Sequence, residues 1–137
     1  MTKITPRGIR NNNPLNIRIG NNWQGEVEIP TDNEFEQFKK MEYGIRAGFI
    51  LLRRYINRYK RNTVPEIIKA WAPSNENNTV TYTMSVLQRT GLHYTDIINF
   101  NDVNTMCSLV SAMIKVECGV TLDKEVILRG YELAVEH

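Results

Sequence analysis

The stretch Asn11–Gly25, NNNPLNIRIGNNWQG, combines turn residues with a short apolar alternation near the start of the chain. Asparagine tolerates left-handed backbone and bonds to its own main chain, so the three asparagines before Pro14 predict a tight turn. The alternation over 16–20 and the turn residues that follow it predict a short strand. With the apolar residues of 26–38, this pattern predicts a small N-terminal β-hairpin or meander.

A loop rich in side-chain amides beside a tryptophan also suits a sugar-binding surface. Amides offer donors and acceptors to hydroxyl and N-acetyl groups, and an indole ring stacks on a pyranose face. Asn13, Asn16 and Trp23 are therefore candidate substrate-binding residues, and Gly25 closes the same segment. The alternative is a plain hairpin with polar tips.

Length and composition define the class of protein. A chain of 137 residues predicts a single domain, 1–137, with a modest core. Its formal net charge of +2 permits an anionic partner without requiring one. No apolar run approaches the roughly 20 residues that span a membrane, and the first residues lack the apolar core of a signal peptide. We therefore expect a protein made in the cytoplasm without a signal peptide, and no membrane insertion.

The rest of the chain predicts helices, so the fold class is mainly α, or α+β with the hairpin. The apolar spacing of Ile45, Phe49, Leu52, Ile56 and Tyr59 predicts a long helix over 41–59. Four more helices are predicted. One begins at the cap Thr63 and runs to about Trp71, and the next runs from about Asn78 to Gly91 with Val80, Met84 and Leu87 facing the core. The last two begin at the caps Asp102 and Asp123, and the second of these runs nearly to His137.

One of these helices ends on an unusual carboxylate. Its apolar stripe runs through Val103, Cys107, Val110 and Ile114 to Glu117. Gly119 fits a helix terminator, so Glu117 lies in the last turn, where the helix dipole and partial burial both raise a carboxyl pKa. A carboxylic acid that stays protonated near neutral pH can donate a proton to a glycosidic oxygen. Glu117 is therefore the candidate general acid; the alternative is a carboxylate paired with an arginine.

Several other residues could complete a sugar site. Glu26 and Glu28 follow the Trp-x-Gly segment, where many glycosidases place a second carboxylate. An inverting enzyme needs its base about 6.5–9.5 Å from the acid and a retaining enzyme about 5–5.5 Å, whereas a lytic transglycosylase needs only one such group. Further candidates are Glu76, which could instead support a helix N-terminus, and the aromatic residues Tyr43, Trp71 and Tyr82, which could instead be core residues.

Other chemistries lack their motifs. Cys107 and Cys118 on one helix would lie about 16 Å apart, beyond the 7 Å or so that a disulfide allows, so we expect two reduced cysteines. His93 and His137 are too few and too distant for a metal site, and no glycine-rich phosphate loop or Gly-x-Ser-x-Gly occurs. We expect no metal and no cofactor.

The helix over 41–59 also carries a basic face. Its arginines are Arg46, Arg53, Arg54 and Arg58, and Arg61 follows. Such a face could meet nucleic acid, but it is more simply the solvated side of an amphipathic helix. We therefore expect no binding of nucleic acid. We also expect the protein to be a monomer.

Two protein families carry motifs of this kind. The segments Asn12–Arg18, Trp23–Gly25, Phe35–Phe38 and Tyr43–Arg46 resemble the post-catalytic half of bacterial N-acetylglucosaminidases of the flagellar-muramidase type. The same elements, with the segment 71–77 and a late Glu-x-Gly, resemble small phage and prophage proteins that are often described only as virion structural proteins. The second resemblance covers nearly the whole chain. The first implies a lysozyme-like fold and action on peptidoglycan.

The order of these motifs departs from that of the enzymes. In lysozyme-like enzymes the catalytic glutamate ends a helix before the Asn-rich motif, but here no acid precedes Asn11 and the helix-ending Glu-x-Gly is Glu117-Cys118-Gly119. We hypothesise a circular permutation of the lysozyme-like core, with the chain ends brought together. It requires Glu117 to share a cleft with Asn13, Asn16 or Trp23, and His137 to lie near Met1.

These observations predict a phage- or prophage-type protein that acts on the bacterial cell wall. In the main hypothesis it is a glycosidase or lytic transglycosylase that cleaves peptidoglycan glycan strands with Glu117 as general acid. The alternative is a catalytically inactive virion or wall-binding protein with the same fold. The expected partners are glycan strands and other virion proteins, at the cell wall or in a phage particle.

Overall fold

The computed structural model describes residues 4–72 and 76–137, without the side chains of Glu76 and Asn77. The helices in this part of the chain are α1 (Arg7–Arg10), α2 (Met41–Arg53), α3 (Val64–Trp71), α4 (Glu76–Thr90), α5 (Val103–Cys118) and α6 (Lys124–Val135), and a π-helical segment, Arg54–Arg58, follows α2 directly. The prediction of a mainly helical protein is confirmed. The lysozyme-like fold and its permutation stay predictions.

Local capping residues set the ends of two of these helices. The Thr63 hydroxyl accepts a hydrogen bond from the Glu66 N–H at the start of α3, and the Asp102 carboxylate accepts one from the Thr105 N–H at the start of α5. Gly119 ends α5 in a left-handed conformation with φ of 72°. These signals lie within a few residues of the ends that they determine, so the sequence predicts them well.

The helix predicted over 41–59 is divided in the structure. α2 ends at Arg53, the next five residues wind as a π-helix, and Lys60 then takes a left-handed φ of 57°. The residues of the predicted apolar stripe from Ile45 to Ile56 are buried, whereas its last residue, Tyr59, is 53% exposed. The helical spacing therefore predicts the buried face but not the wider final turn.

The core forms where α2 packs along α6 and where α4 packs between α3 and α5. Gly130 lets α6 approach α2 closely, because a Cβ there would collide with the Ile45 side chain. The Phe49 ring meets Tyr131 of α6 edge-on at 5.3 Å, and the Tyr131 hydroxyl donates a 2.8 Å hydrogen bond to the Phe100 carbonyl. α1, which directly precedes the Asn-rich segment, packs against α5.

The predicted N-terminal β-hairpin is wrong. In the part of the chain that the structure describes, the segment between α1 and α2 contains only isolated antiparallel bridges, Arg18 with Phe35 and Glu26 with Phe38. The ladder is interrupted because the backbone turns repeatedly, with a φ of 54° at Asn16. Side-chain amides then supply many of the hydrogen bonds that a strand ladder would have made.

The inward face of α4 matches the prediction only at Leu87, which is half-buried against the core. Val80 and Met84 are 58% and 57% exposed, whereas Tyr82 and Val86 are buried. Both pairs have helical spacing, so periodicity alone does not choose between them. Packing between α3 and α5 selects the face with Tyr82.

The predicted solvated arginine face is only partly present. Arg46 is 6% exposed, and its Nη2 lies 3.3 Å from Nδ1 of His137. Arg53 Nη1 donates a 3.1 Å hydrogen bond to the Ala134 carbonyl. Because cations are favourable at a helix C-terminus, these two arginines hold the end of α6 against α2. The arginines of the π-helical segment stay exposed.

No helix in the described ranges 4–72 and 76–137 combines the length and the hydropathy needed to cross a membrane.

Candidate functional site

Glu117 and the Asn-rich segment meet at the C-terminal end of α5. The Asn16 amide Nδ2 donates a 2.9 Å hydrogen bond to Glu117 Oε1, although 101 positions separate the two residues. The neighbouring Cys118 thiol donates a 3.2 Å hydrogen bond to the Pro14 carbonyl. The end of α5 is thus fastened to this segment at two points. The permutation hypothesis requires Glu117 to share a cleft with this segment; the hydrogen bond brings Glu117 and Asn16 together, and the shared cleft and the permutation stay predictions.

The Glu117 carboxyl lies in an environment that disfavours its charge. Burial raises its pKa above the ordinary value for glutamate, and the hydrogen bond from Asn16 and the nearby Tyr82 hydroxyl lower it by less. Among the described residues, no cationic nitrogen lies within 4.0 Å of this carboxylate, so it is not the arginine-paired carboxylate of the alternative. A desolvated carboxyl without a counter-ion holds its proton nearer to neutral pH, as a general acid must.

Tyr82 forms the other side of the carboxyl site. It is 7% exposed, so it lies too deep for the stacking on a sugar that its aromatic ring suggested. Its hydroxyl is buried and makes no hydrogen bond within 3.5 Å to the part of the chain that the structure describes, yet it lies close enough to Glu117 to affect the carboxyl pKa.

Gly8 permits the close approach of α1 to this site, and sequence reasoning missed it. A Cβ at Gly8 would lie 2.6 Å from Cys118 Sγ and 2.7 Å from Asn16 Oδ1. Because neither distance is compatible with a side chain, Gly8 is part of the geometry that brings Asn16 to Glu117. A lone glycine in a short helix gave no signal for this role.

Asn13 lies beneath the segment rather than on its surface. It is 0% exposed, and its Nδ2 donates hydrogen bonds of 2.9 Å and 3.0 Å to the carbonyls of Ile17 and Glu36. Its Oδ1 accepts a hydrogen bond from the Ile17 N–H. The amide that suggested substrate binding therefore holds two backbone segments together and leaves no surface for a ligand.

Gly25 and Tyr43 form a second cluster, and Trp23 lies two residues before Gly25 in the same loop. Gly25, with φ of 83°, lies directly against the Tyr43 ring, where a Cβ would collide. Trp23 is half-buried, and its backbone N–H donates a 3.1 Å hydrogen bond to Glu26 Oε1. The Trp23 Nε1 atom is buried without a hydrogen-bond partner among the described residues. The structure thus brings two of the predicted residues, Gly25 and Tyr43, together, apart from the contact between Asn16 and Glu117.

A pair of carboxyls lies beside this cluster, and only one of its members was considered from the sequence. Glu36 is 7% exposed, and its Oε2 has no hydrogen-bond partner among the described residues. Burial first, and then the adjacent Glu26 carboxyl, raise the Glu36 pKa to about 7. The backbone N–H groups of Gly20 and Asn21 oppose this shift. A glutamate between two phenylalanines predicts an exposed position, so the sequence gave little sign of this pair.

The remaining candidates lie elsewhere. Glu28 is exposed, and Trp71 is half-buried with its ring edge-on to Tyr55 at 6.0 Å. The side chain of Glu76 is outside the description, as is Met1, so the expected approach of His137 to Met1 stays a prediction. Within the described residues, no three His, Cys, Asp or Glu side chains cluster as metal ligands would.

A relative of this chain is protein P5 of Pseudoalteromonas phage PM2. The two are 41% identical over 133 residues, and the match covers 92% of this chain and 80% of protein P5. A match of this extent takes in both Asn16 and Glu117. No family model matches the chain.

Proposed function

Because the chain belongs to the family of protein P5 of Pseudoalteromonas phage PM2, we propose that it is a structural component of a phage particle. The family relationship is the observation that supports this proposal, because the match spans nearly the whole chain rather than one motif. The resemblance of Asn12–Arg18 and Trp23–Gly25 to small phage proteins described as virion structural proteins supports the same role. Its partners are then other proteins of the particle.

Purified particles test this proposal. Particles of the phage that encodes the chain are banded on a density gradient, and their proteins are quantified by mass spectrometry. We expect the chain to sediment with the coat proteins at a fixed ratio across independent preparations. Recovery in the lysate of infected cells, but not in banded particles, would contradict the role.

A second function is favoured by one observation, the desolvated Glu117 carboxyl without a counter-ion. We propose that the chain cleaves peptidoglycan glycan strands with Glu117 as general acid. Because Glu117 Oε1 accepts the Asn16 hydrogen bond, the transferable proton belongs on Oε2, from which it passes to the glycosidic oxygen as that bond breaks. Asn16 fixes the carboxyl rotamer and leaves its second oxygen for the sugar.

The surroundings of Glu117 favour a mechanism with one carboxyl group. None of the contributions to its pKa comes from a described aspartate or glutamate, and the predicted second carboxylate Glu28 is exposed. Hydrolysis by the usual routes uses two carboxyls at defined separations. A lytic transglycosylase reaction, in which one group acts first as acid and then as base, fits the site better.

Catalysis is tested with purified protein and isolated sacculi. Loss of turbidity and released sugars are measured for the wild type, for Glu117→Gln and for the exposed control Glu125→Gln. General acids contribute about 10²–10⁴-fold, so we expect Glu117→Gln to lose at least about 10²-fold in rate while the control keeps it. Wild-type protein that binds sacculi without releasing sugar would contradict catalysis and leave a wall-binding particle protein.

A further inference from the structure

A groove runs between α5 and α6 on a face of the molecule that excludes Glu117. Its volume is about 670 Å³, which lies in the range of built ligand sites. We call it the α5–α6 groove; it is lined by residues of α5 between Val103 and Lys115, by residues of α6 between Lys124 and Leu128, and by Arg89 and Thr121.

The floor of the α5–α6 groove is apolar and shallow on one side. Ala112 and Ile127 are buried at its base, whereas Val103 and Leu128 at its edges are 37% and 41% exposed. On α5 the side chains that face it at positions 108, 111 and 112 are small, so another backbone can approach closely. A narrow apolar floor of this kind suits the apolar side chains of one face of a helix.

The charge of the α5–α6 groove has a single sign. Arg89, Lys115 and Lys124 lie around it, and no aspartate or glutamate is among the residues that form it. Lys115 Nζ donates a 3.0 Å hydrogen bond to the Gly119 carbonyl, which holds one cation at the C-terminal end of α5. An occupant that buries apolar side chains here also places its polar face against these cations, and carboxylates complement them.

We propose that the α5–α6 groove binds an acidic amphipathic helix of another protein of the particle, with apolar side chains on the floor and carboxylates toward Arg89, Lys115 and Lys124. That the partner belongs to a phage particle rests on the proposed structural function; the chemistry of the partner rests on the groove alone. Nucleic acid is also anionic, but it offers no apolar side chains for this floor.

Direct binding tests the chemistry. The probe is a labelled helical peptide with leucines at i, i+3, i+4 and i+7 and glutamates at its other positions; the comparison peptide has lysines instead. By fluorescence anisotropy we expect the glutamate peptide to bind at least tenfold more tightly than the lysine peptide. The substitution Ser111→Trp should abolish this binding, and Lys115→Glu with Lys124→Glu should weaken it at least tenfold. The matched control, Lys39→Glu with Lys69→Glu, should leave it unchanged.

Crosslinking identifies the partner. A photoreactive benzoylphenylalanine replaces Ser111 in the phage-encoded chain, and crosslinked peptides from purified particles are identified by mass spectrometry. We expect a crosslink to an acidic segment of a different particle protein. A chain present in particles that crosslinks to its own copies, to nucleic acid or to nothing would overturn the inference. If the chain is absent from particles, the proposed structural function is refuted and the groove chemistry is judged by the peptide experiment alone. Equal affinity for the glutamate and lysine peptides would overturn that chemistry.

Discussion

At the scale of single residues, the Asn13 amide determines how the N-terminal segment folds. It bonds two carbonyls and one N–H in a fully buried position. Removing a partner from buried backbone groups costs about 1–3 kcal/mol for each group left unsatisfied. We therefore expect Asn13→Ala to lower the free energy of unfolding by at least about 2 kcal/mol.

Urea denaturation measures this loss. The exposed Asn22→Ala is the matched control, and we expect its free energy of unfolding to change by less than about 0.5 kcal/mol. Equal effects of the two substitutions would mean that the buried hydrogen bonds of Asn13 contribute nothing beyond a surface amide.

Glu36 makes stability depend on pH. Its pKa of about 7 in the folded protein exceeds its ordinary value of 4.5, so the folded state holds more protons than the unfolded state between these values. The contribution of Glu36 to the free energy of unfolding is therefore fully present below about pH 4.5 and is lost as the pH rises through 7. At about 1.4 kcal/mol per pKa unit, the upper bound on this loss is about 3.5 kcal/mol.

Burial of Glu117 makes the free energy of unfolding depend on pH in the same direction, so the wild-type curve alone does not show the contribution of Glu36. The variant Glu36→Gln isolates that contribution. We expect the decline in unfolding free energy between about pH 5 and pH 8 to be smaller in Glu36→Gln than in the wild type. The exposed control Glu125→Gln should keep the wild-type slope. Parallel curves for all three proteins would remove Glu36 as a source of pH dependence.

At the scale of elements, α2 lies against the Asn-rich segment through two glycines. A Cβ on Gly44 would collide with the Asn12 carbonyl oxygen, whereas one on Gly48 would meet only the end of the flexible Leu15 side chain. Alanine gains about 1 kcal/mol over glycine in a helix, but overpacking costs about 1–3 kcal/mol when the neighbour cannot move. We expect Gly44→Ala to be destabilising and clearly more so than Gly48→Ala.

Thermal unfolding of both variants checks this order. The two substitutions add the same methyl group to the same helix, so the helix propensity cancels between them and the packing difference remains. A Gly44→Ala protein as stable as Gly48→Ala would show that the backbone at Asn12 can move away without cost.

The helices also show where sequence reasoning holds and where it stops. The start of α3 and both ends of α5 follow from Thr63, Asp102 and Gly119, whose effects are local. The buried face of α4 and the burial of Arg46 do not follow from local sequence signals, because each depends on packing against a helix that is distant in sequence. Periodicity ranks the apolar stripes of one helix, but packing against other helices decides which stripe is buried.

At the scale of the whole molecule, the basic surface is smaller than the sequence suggests. Arg46 is buried and Arg53 is bonded to α6, so the exposed cations of this region are those from Arg54 onward. Binding to duplex DNA through few phosphate contacts is weak, because each neutralised phosphate adds to the affinity. We expect negligible binding at physiological salt, measured by anisotropy of a labelled duplex; sub-micromolar affinity there would contradict this.

The sequence predicts Glu117 and the Asn-rich segment as parts of the candidate site, but not the residues that surround them. A helix-ending Glu117 and an Asn-rich segment each carry a local pattern, and their resemblance to lysozyme-like enzymes suggested that they meet. The buried Tyr82, the glycine contact at Gly8 and the carboxyl pair of Glu26 and Glu36 arise only when separate segments come together. The family match likewise concerns the chain as a whole and favours the particle role over the enzymatic one.

The fastening of the Asn-rich segment to the end of α5 has a consequence for the order of events during synthesis. Asn16 and Pro14 leave the ribosome more than a hundred residues before Glu117 and Cys118, with which they bond. At about 5–20 residues per second, that segment waits roughly 5–20 s with its amides bonded to water. The carboxyl is desolvated only after translation of α5, so nascent chains carry the motifs without the site. A chain that terminates before α5 would display every N-terminal motif and lack the desolvated Glu117 carboxyl altogether.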